Sequence, residues 1–173
     1  MSYSFRTEQW IPVPRERVFR FFANPGNLPR LMPAWMRVEL LQVKVVPPEG
    51  MEPVASTVSE VPPFAGMGSE LVASYRGVPV LPFRITAVAL ITEFAVNEYF
   101  SDIQKEGPFR SWHHRHQFAA ESRNGVEGTH MQDIVEYEIG FGLLGMMVQK
   151  WLVGPQIRRT FLYRQKALEK LLR

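Results

Sequence analysis

"WHHRHQFAAESRNGVEGTHMQDIVEYEI", Trp112–Ile139, is the stretch whose reading decides the fold. Its first residues carry three of the chain's four histidines. On a strand, Trp112, His114, His116 and Phe118 point one way and His113, Arg115 and Gln117 the other. The second set is all polar and suits solvent, so the first faces inward. Asn124-Gly125 is a strong two-residue hairpin signal, because both central positions of the turn need positive φ. With Arg123 opposite Val126, counting outward sets Phe118 against Met131, His116 against Asp133 and His114 against Val135. Upstream, a loop over 105–111 sets Gln104 against Trp112, Asp102 against His114 and Phe100 against His116. Two carboxylate–histidine pairs then line one inner surface: Asp102 with His114, and His116 with Asp133.

Working outward, "YSFRTEQWIPV" alternates as a strand. Pro14 suits the first position of the helix "RERVFRFFA", which stops at "NPGN". "LPRLMPAW" reads as a short second helix broken by Pro33, and "RVELLQVKVV" as a strand. The connection Pro47–Gly68 is rich in Pro and Gly and is expected to act as a lid or binding loop. "SELVASYRG" and "PFRITAVAL" form a hairpin around "GVPVLP", and "TEFAVNEYFSDIQ" is the following strand. Leu143 to Leu172 reads as one long helix, with Gly154-Pro155 marking a kink or a start. Sequential hairpins imply an antiparallel sheet, and segregated helices imply the α+β class. The amphipathic C-terminal helix is the natural cover for the inner face of the sheet.

Composition narrows the function. A chain of 173 residues is expected to be one domain, 1–173, able to bury a sizeable core. A hydrophobic fraction of 46% with 21% charged residues fits a soluble globular protein rather than a disordered one. No cysteine is present, which excludes disulfides, thiolate metal sites and cysteine nucleophiles. No apolar run approaches the ~20 residues of a membrane span, and the expected location is cytoplasmic. Basic residues gather at Arg158, Arg159, Arg164, Lys166, Lys170 and Arg173, interleaved with Ile157, Phe161, Leu162, Leu168 and Leu171. That spacing reads as the solvated face of a helix, so nucleic acid is not an expected partner.

Three readings of the histidine face stay open. The pairs tie three strands together as buried polar contacts. They form the polar end of a ligand pocket, with His114, His116, Asp102 and Asp133 as candidate acid/base residues. Or the two imidazoles share an ion with Asp102 or Asp133; His130, the remaining histidine, lies on the opposite face of its strand, and no metal or other cofactor is expected. Candidate ligand-lining residues are Trp35, Phe64, Tyr75, Phe83, Ile85, Phe94, Phe100, Gln104, Trp112, Met131, Met147 and Trp151. No nucleophile elbow, phosphate loop or HExxH motif is present.

The string Asp102-x-Gln104-x-x-Gly107-Pro108-Phe109-x-x-Trp112-x-His114-x-His116-x-Phe118 resembles the START-like superfamily, also called SRPBCC. "VFRFFANPGNLPRLMP" at 18–33, "GTHMQDIVEYEI" at 128–139 and the ending "RRTFLYRQKALEKLL" extend the likeness over nearly the whole chain. That group includes birch-pollen-allergen-like, polyketide cyclase/dehydrase and coenzyme Q-binding proteins. The resemblance implies a helix-grip fold: a curved antiparallel sheet wrapped around a long C-terminal helix, with two short helices after strand 1. It implies an apolar cavity for a small hydrophobic molecule, lipid-, quinone- or polyketide-like. The alternative is a cyclase, dehydratase or isomerase acting on such a molecule through a His–Asp pair.

Overall fold

The computed structural model describes residues 1–49, 51, 64–78, 82–140 and 142–172. Strand β1 (Ser2–Ile11) leads into α1 (Arg15–Ala23), a 3₁₀ turn (Pro25–Asn27), the single-turn α2 (Leu28–Leu31) and a second 3₁₀ turn (Ala34–Met36). Pro14 stands just before α1 with extended ψ, so it closes the strand and opens the helix. Strands β2 (Glu39–Lys44), β3 (Glu70–Arg76), β4 (Arg84–Ala95), β5 (Tyr99–Glu106), β6 (Ser111–Ala120) and β7 (Thr129–Glu138) follow. All pairings are antiparallel, in the order β1-β7-β6-β5-β4-β3-β2. This is the α+β helix-grip architecture expected from the sequence.

The hairpin register holds residue by residue. Arg123 bridges Val126, with Asn124 and Gly125 both at positive φ. His116 pairs with Asp133, Phe118 with Met131, His114 with Val135, Asp102 with His114 and Phe100 with His116. One boundary differs from expectation. β4 runs on through Thr92, Glu93 and Phe94 to Ala95, and the turn comes at Val96–Glu98, with Asn97 at φ 64°. The expected lid, Pro47–Gly68, lies largely outside the described residues.

The C-terminal helix runs from Gly142 to Leu171 as α3 (Gly142–Val148), a π turn (Gln149–Val153) and α4 (Gly154–Leu171). Pro155 has no N–H to give to Trp151, and Gly154 N–H instead reaches Gln149 O. The helix thus widens without breaking. From Ile157 onward it buries the stripe Ile157, Phe161, Arg164 and Leu168, spaced four, three and four residues apart. Arg164 therefore belongs to the buried face and not to the solvated one expected for it. Gln165 fastens the helix to the sheet edge through Thr7 Oγ1 at 2.9 Å, and Gln9 Nε2 donates to Gln165 O at 3.2 Å.

Two apolar clusters result. The larger surrounds the fully buried Phe19, whose ring meets Phe94 and Phe118 edge-on at 5.3 Å, with Ile11, Val18, Leu31, Phe64, Phe100, Met131, Leu168 and Leu172. The smaller joins Val135 and Tyr137 to Ile157 and Phe161, with Trp112 and Phe109 packed alongside. Among the described residues no helix is long and apolar enough to cross a membrane.

Candidate functional site

A polar cluster sits between the two apolar ones. His114 and His116 are each 5% exposed, and their rings lie 4.0 Å apart beneath the helix. Phe161 of α4 meets the His114 ring edge-on at 5.4 Å, while Phe100 and Phe22 flank His116 at 4.5 and 5.3 Å. Asp133 serves both imidazoles. His114 Nε2 is 2.9 Å from Asp133 Oδ1, and His116 Nδ1 is 2.7 Å from the same oxygen, though off the N–H direction. Asp102, on the other side, lies 3.9 Å from His114 Nδ1 and keeps 20% of its side chain exposed. The two separate pairs read from the sequence are therefore one connected group centred on Asp133.

Arg164 completes the cluster from above. Its guanidinium lies 4.8 Å over the Phe161 ring and 5.9 Å over Phe22, a site where Arg keeps its charge against aromatic faces. Burial pushes the Asp133 carboxyl up, but the charges of His116 and Arg164 and the two imidazole N–H groups outweigh it and hold it well below the usual range. Burial, aided by neighbouring His116, drives His114 down to about 4. Burial likewise lowers His116, against the pull of Asp133. Burial raises Asp102, which His114 and Arg164 only partly offset. At neutral pH the group is thus one carboxylate under the influence of the Arg164 charge, two neutral imidazoles, and a carboxyl that binds its proton more tightly than usual.

By sequence, residues 11–165 match the family described as polyketide cyclase/dehydrase and lipid transport. The chain belongs to this family. Solved structures with the same fold include a protein from Thermus thermophilus (21% identity, TM-score 0.61, covering 97% of this chain and 95% of that one). A START superfamily protein from Mycobacterium smegmatis matches at 16% identity and TM-score 0.59, over 98% and 96% of the two chains. The ginseng major latex-like protein 151 from Panax ginseng matches at 12% and 0.62, over 99% and 97%. No curated protein matches by sequence.

In this polyketide cyclase/dehydrase family member, the inner face beyond the histidines is lined by small residues. Tyr75 pairs with Ile85, Ala73 with Ala87, and Leu71 with Ala89, which in turn lies beside Gln104. Alternation puts all of these on the face that carries Ile91 and Asp102. Each is half-buried, and none belongs to either buried cluster. Ala73, Ala87 and Ala89 thus form a strip of small side chains on that face, with Tyr75 and Ile85 at one end and Gln104 beside Ala89. The helix approaches it where Gln156 Nε2 donates to Gly77 O. Burial raises the pKa of the Tyr75 hydroxyl. The alanines were not singled out in the sequence; their signal was small residues recurring at every second position of "ASY" and "ITAVAL".

The remaining candidates separate. Phe64, Phe94 and Phe100 pack in or against the larger core, and Met131 does so while also reaching the small cleft beside Asp133. Trp35 is half-buried in the second 3₁₀ turn. Phe83, Met147 and Trp151 are 63%, 61% and 73% exposed and do not reach the interior. For the last two the reason is the segment they occupy: α3 and the π turn precede the buried stripe that begins at Ile157. Beside Asp133 and Arg164, a cleft also lined by Phe22, Met131 and Leu168 has about 10 Å³ of free volume, enough for one water. Phe161 and Arg164 of α4 lie at the polar cluster, and by register the alanine strip lies to one side of it.

Proposed function

We propose that this protein binds a small hydrophobic molecule, lipid-, quinone- or polyketide-like, in a basin over the alanine strip of β3 and β4, beside the helix. The observation that carries the reading is the alanine block at 73, 87 and 89, which among the described residues belongs to neither apolar cluster while the adjoining strands do. Apolar walls with a few convergent polar groups are what such ligands require. The Tyr75 hydroxyl, the Gln104 amide and Asp102 supply those groups. Gln104 is already oriented, because its Nε2 donates to Phe109 O at 2.8 Å. The test is a thermal-shift and fluorescence-displacement screen with fatty acids, quinones and aromatic polyketides. A ligand present at 100 times its Kd stabilises the protein by about 2.7 kcal/mol. Ala87→Trp, which fills the basin, is expected to weaken binding at least tenfold without lowering Tm. A screen in which no compound raises Tm, or tight binding retained in Ala87→Trp, would overturn the proposal.

Acid/base catalysis on such a molecule is the second reading, favoured by the carboxylate that orients both imidazoles. Asp133 accepts from His114 Nε2, which leaves Nδ1 as the atom able to take a proton. A base with a pKa of about 4 is weak at neutral pH, since general bases work best near the operating pH. Binding is therefore placed first. Turnover that is lost in both His114→Gln and His116→Gln, with ligand affinity kept, would reverse that order.

A further inference from the structure

We propose that Asp102, His114 and His116 form a binding site for a divalent transition-metal ion, with Asp133 orienting the two imidazoles. One nitrogen from each imidazole and one Asp102 oxygen lie within 4.8 Å of one another. The arrangement differs from a hydrogen-bonded cluster in one respect. His114 Nδ1 and Asp102 Oδ2 face each other at 3.9 Å, too far to share a proton and close to the separation of two ligands about one ion. Metal–nitrogen and metal–oxygen bonds of about 2.0–2.2 Å put neighbouring ligand atoms roughly 3–4 Å apart, so a small rotation of Asp102 closes the set.

The surroundings suit a metal more than a plain polar core. Metal-bound histidines characteristically give their other N–H to a carboxylate. Asp133 stands where it would take that proton from His114 Nε2 at 2.9 Å, and it lies 2.7 Å from His116 Nδ1. Arg164 is the charged group facing the cluster from α4, and its charge acts on both Asp133 and Asp102. Asp102 keeps 20% of its side chain exposed, so the site is not sealed from solvent. Two nitrogens and one oxygen favour zinc, iron(II) or cobalt over magnesium or calcium, and three protein ligands leave positions open to water. The site is independent of the hydrophobic-ligand reading, because metal uptake is measured with no organic molecule present.

The experiment titrates Co²⁺ and Zn²⁺ into tag-free, chelator-treated protein, followed by visible absorption and calorimetry. The expected result is about one equivalent of Co²⁺ with d–d bands in the visible. Asp102→Asn and His116→Gln, each checked for native circular dichroism, are expected to weaken uptake at least tenfold. His113→Gln and His130→Gln, on the outer face of the sheet, leave it unchanged. Asp102→Asn keeps the test open even if His116→Gln fails to fold. The proposal is overturned if wild type takes up no stoichiometric ion, or if the outer-face histidines and not Asp102 govern uptake.

Discussion

At the scale of single residues, the buried cluster makes the protein sensitive to acid. His114 titrates at 6.5 when unfolded and at about 4 in the native state. Between those values the unfolded chain holds a proton that the folded one refuses, so lowering the pH favours unfolding. The stability owed to neutral His114 is complete above 6.5 and lost as pH falls toward 4, by about 3 kcal/mol. His116 and Asp133 shift in the same direction and deepen the loss, Asp133 at the lower end of the range. Thermal melts between pH 7.5 and 4 are expected to show Tm falling through this window, with a shallower slope in His114→Gln. Asp133→Ala at pH 7 is expected to cost about 1–3 kcal/mol by denaturant unfolding, since His114 Nε2 is left buried without its acceptor; Asp133→Asn costs less. The register that brings these groups together was legible, because one Asn-Gly turn fixes every pairing along β6 and β7. That Asp133 serves both rings was not, because pairing sets which residues are opposite and not which rotamers they choose. Arg164 was misread for a related reason: its charge suggested solvent, while its spacing from Ile157 and Phe161 placed it on the buried stripe.

At the scale of elements, the packing separates helix segments that look alike in composition. Phe19 on α1 is fully buried among other phenylalanines, and Phe19→Ala is expected to cost about 3–5 kcal/mol. Trp151 and Leu143 are 73% and 82% exposed, and replacing either with Glu is expected to move stability by no more than about 0.5 kcal/mol. Equilibrium denaturation of the three variants checks both statements, and a large loss in Trp151→Glu would contradict the placement of that turn. The element order was readable from hairpin signals and helical periodicity. The turn at Val96–Glu98 was not, because "TEFAVNEYF" lacks Gly and Pro and reads as unbroken strand; Asn97 alone supplies the positive φ. The π turn was equally hidden. Pro155 announced an irregularity, and whether a helix answers by kinking, stopping or widening depends on its packing.

At the scale of the whole molecule, the sheet has a packed half and a lined half. The packed half, β1 and β5–β7 under α1 and α4, carries the stability. The alanine-lined half, β3 and β4, contributes no residue to the larger cluster's buried set apart from its junction with Phe94 packed against it. Hydrogen exchange should divide accordingly: amides of β6 and β7 are expected to be protected up to the global unfolding free energy, and those of β3 to exchange through smaller openings. Uniform protection across β3 and β7 would contradict that division.

Ser2 pairs with Glu138 and Ile11 with Thr129, so the first strand made is among the last to find its neighbour. A nascent chain leaving the ribosome must carry residues 2–11 unpartnered until β7 has emerged. Those ten residues then cover β7 and become the outer strand of the sheet themselves. A chain shortened past Ile11 would present the backbone of β7 as an open edge, and self-association is the failure to look for in such truncations.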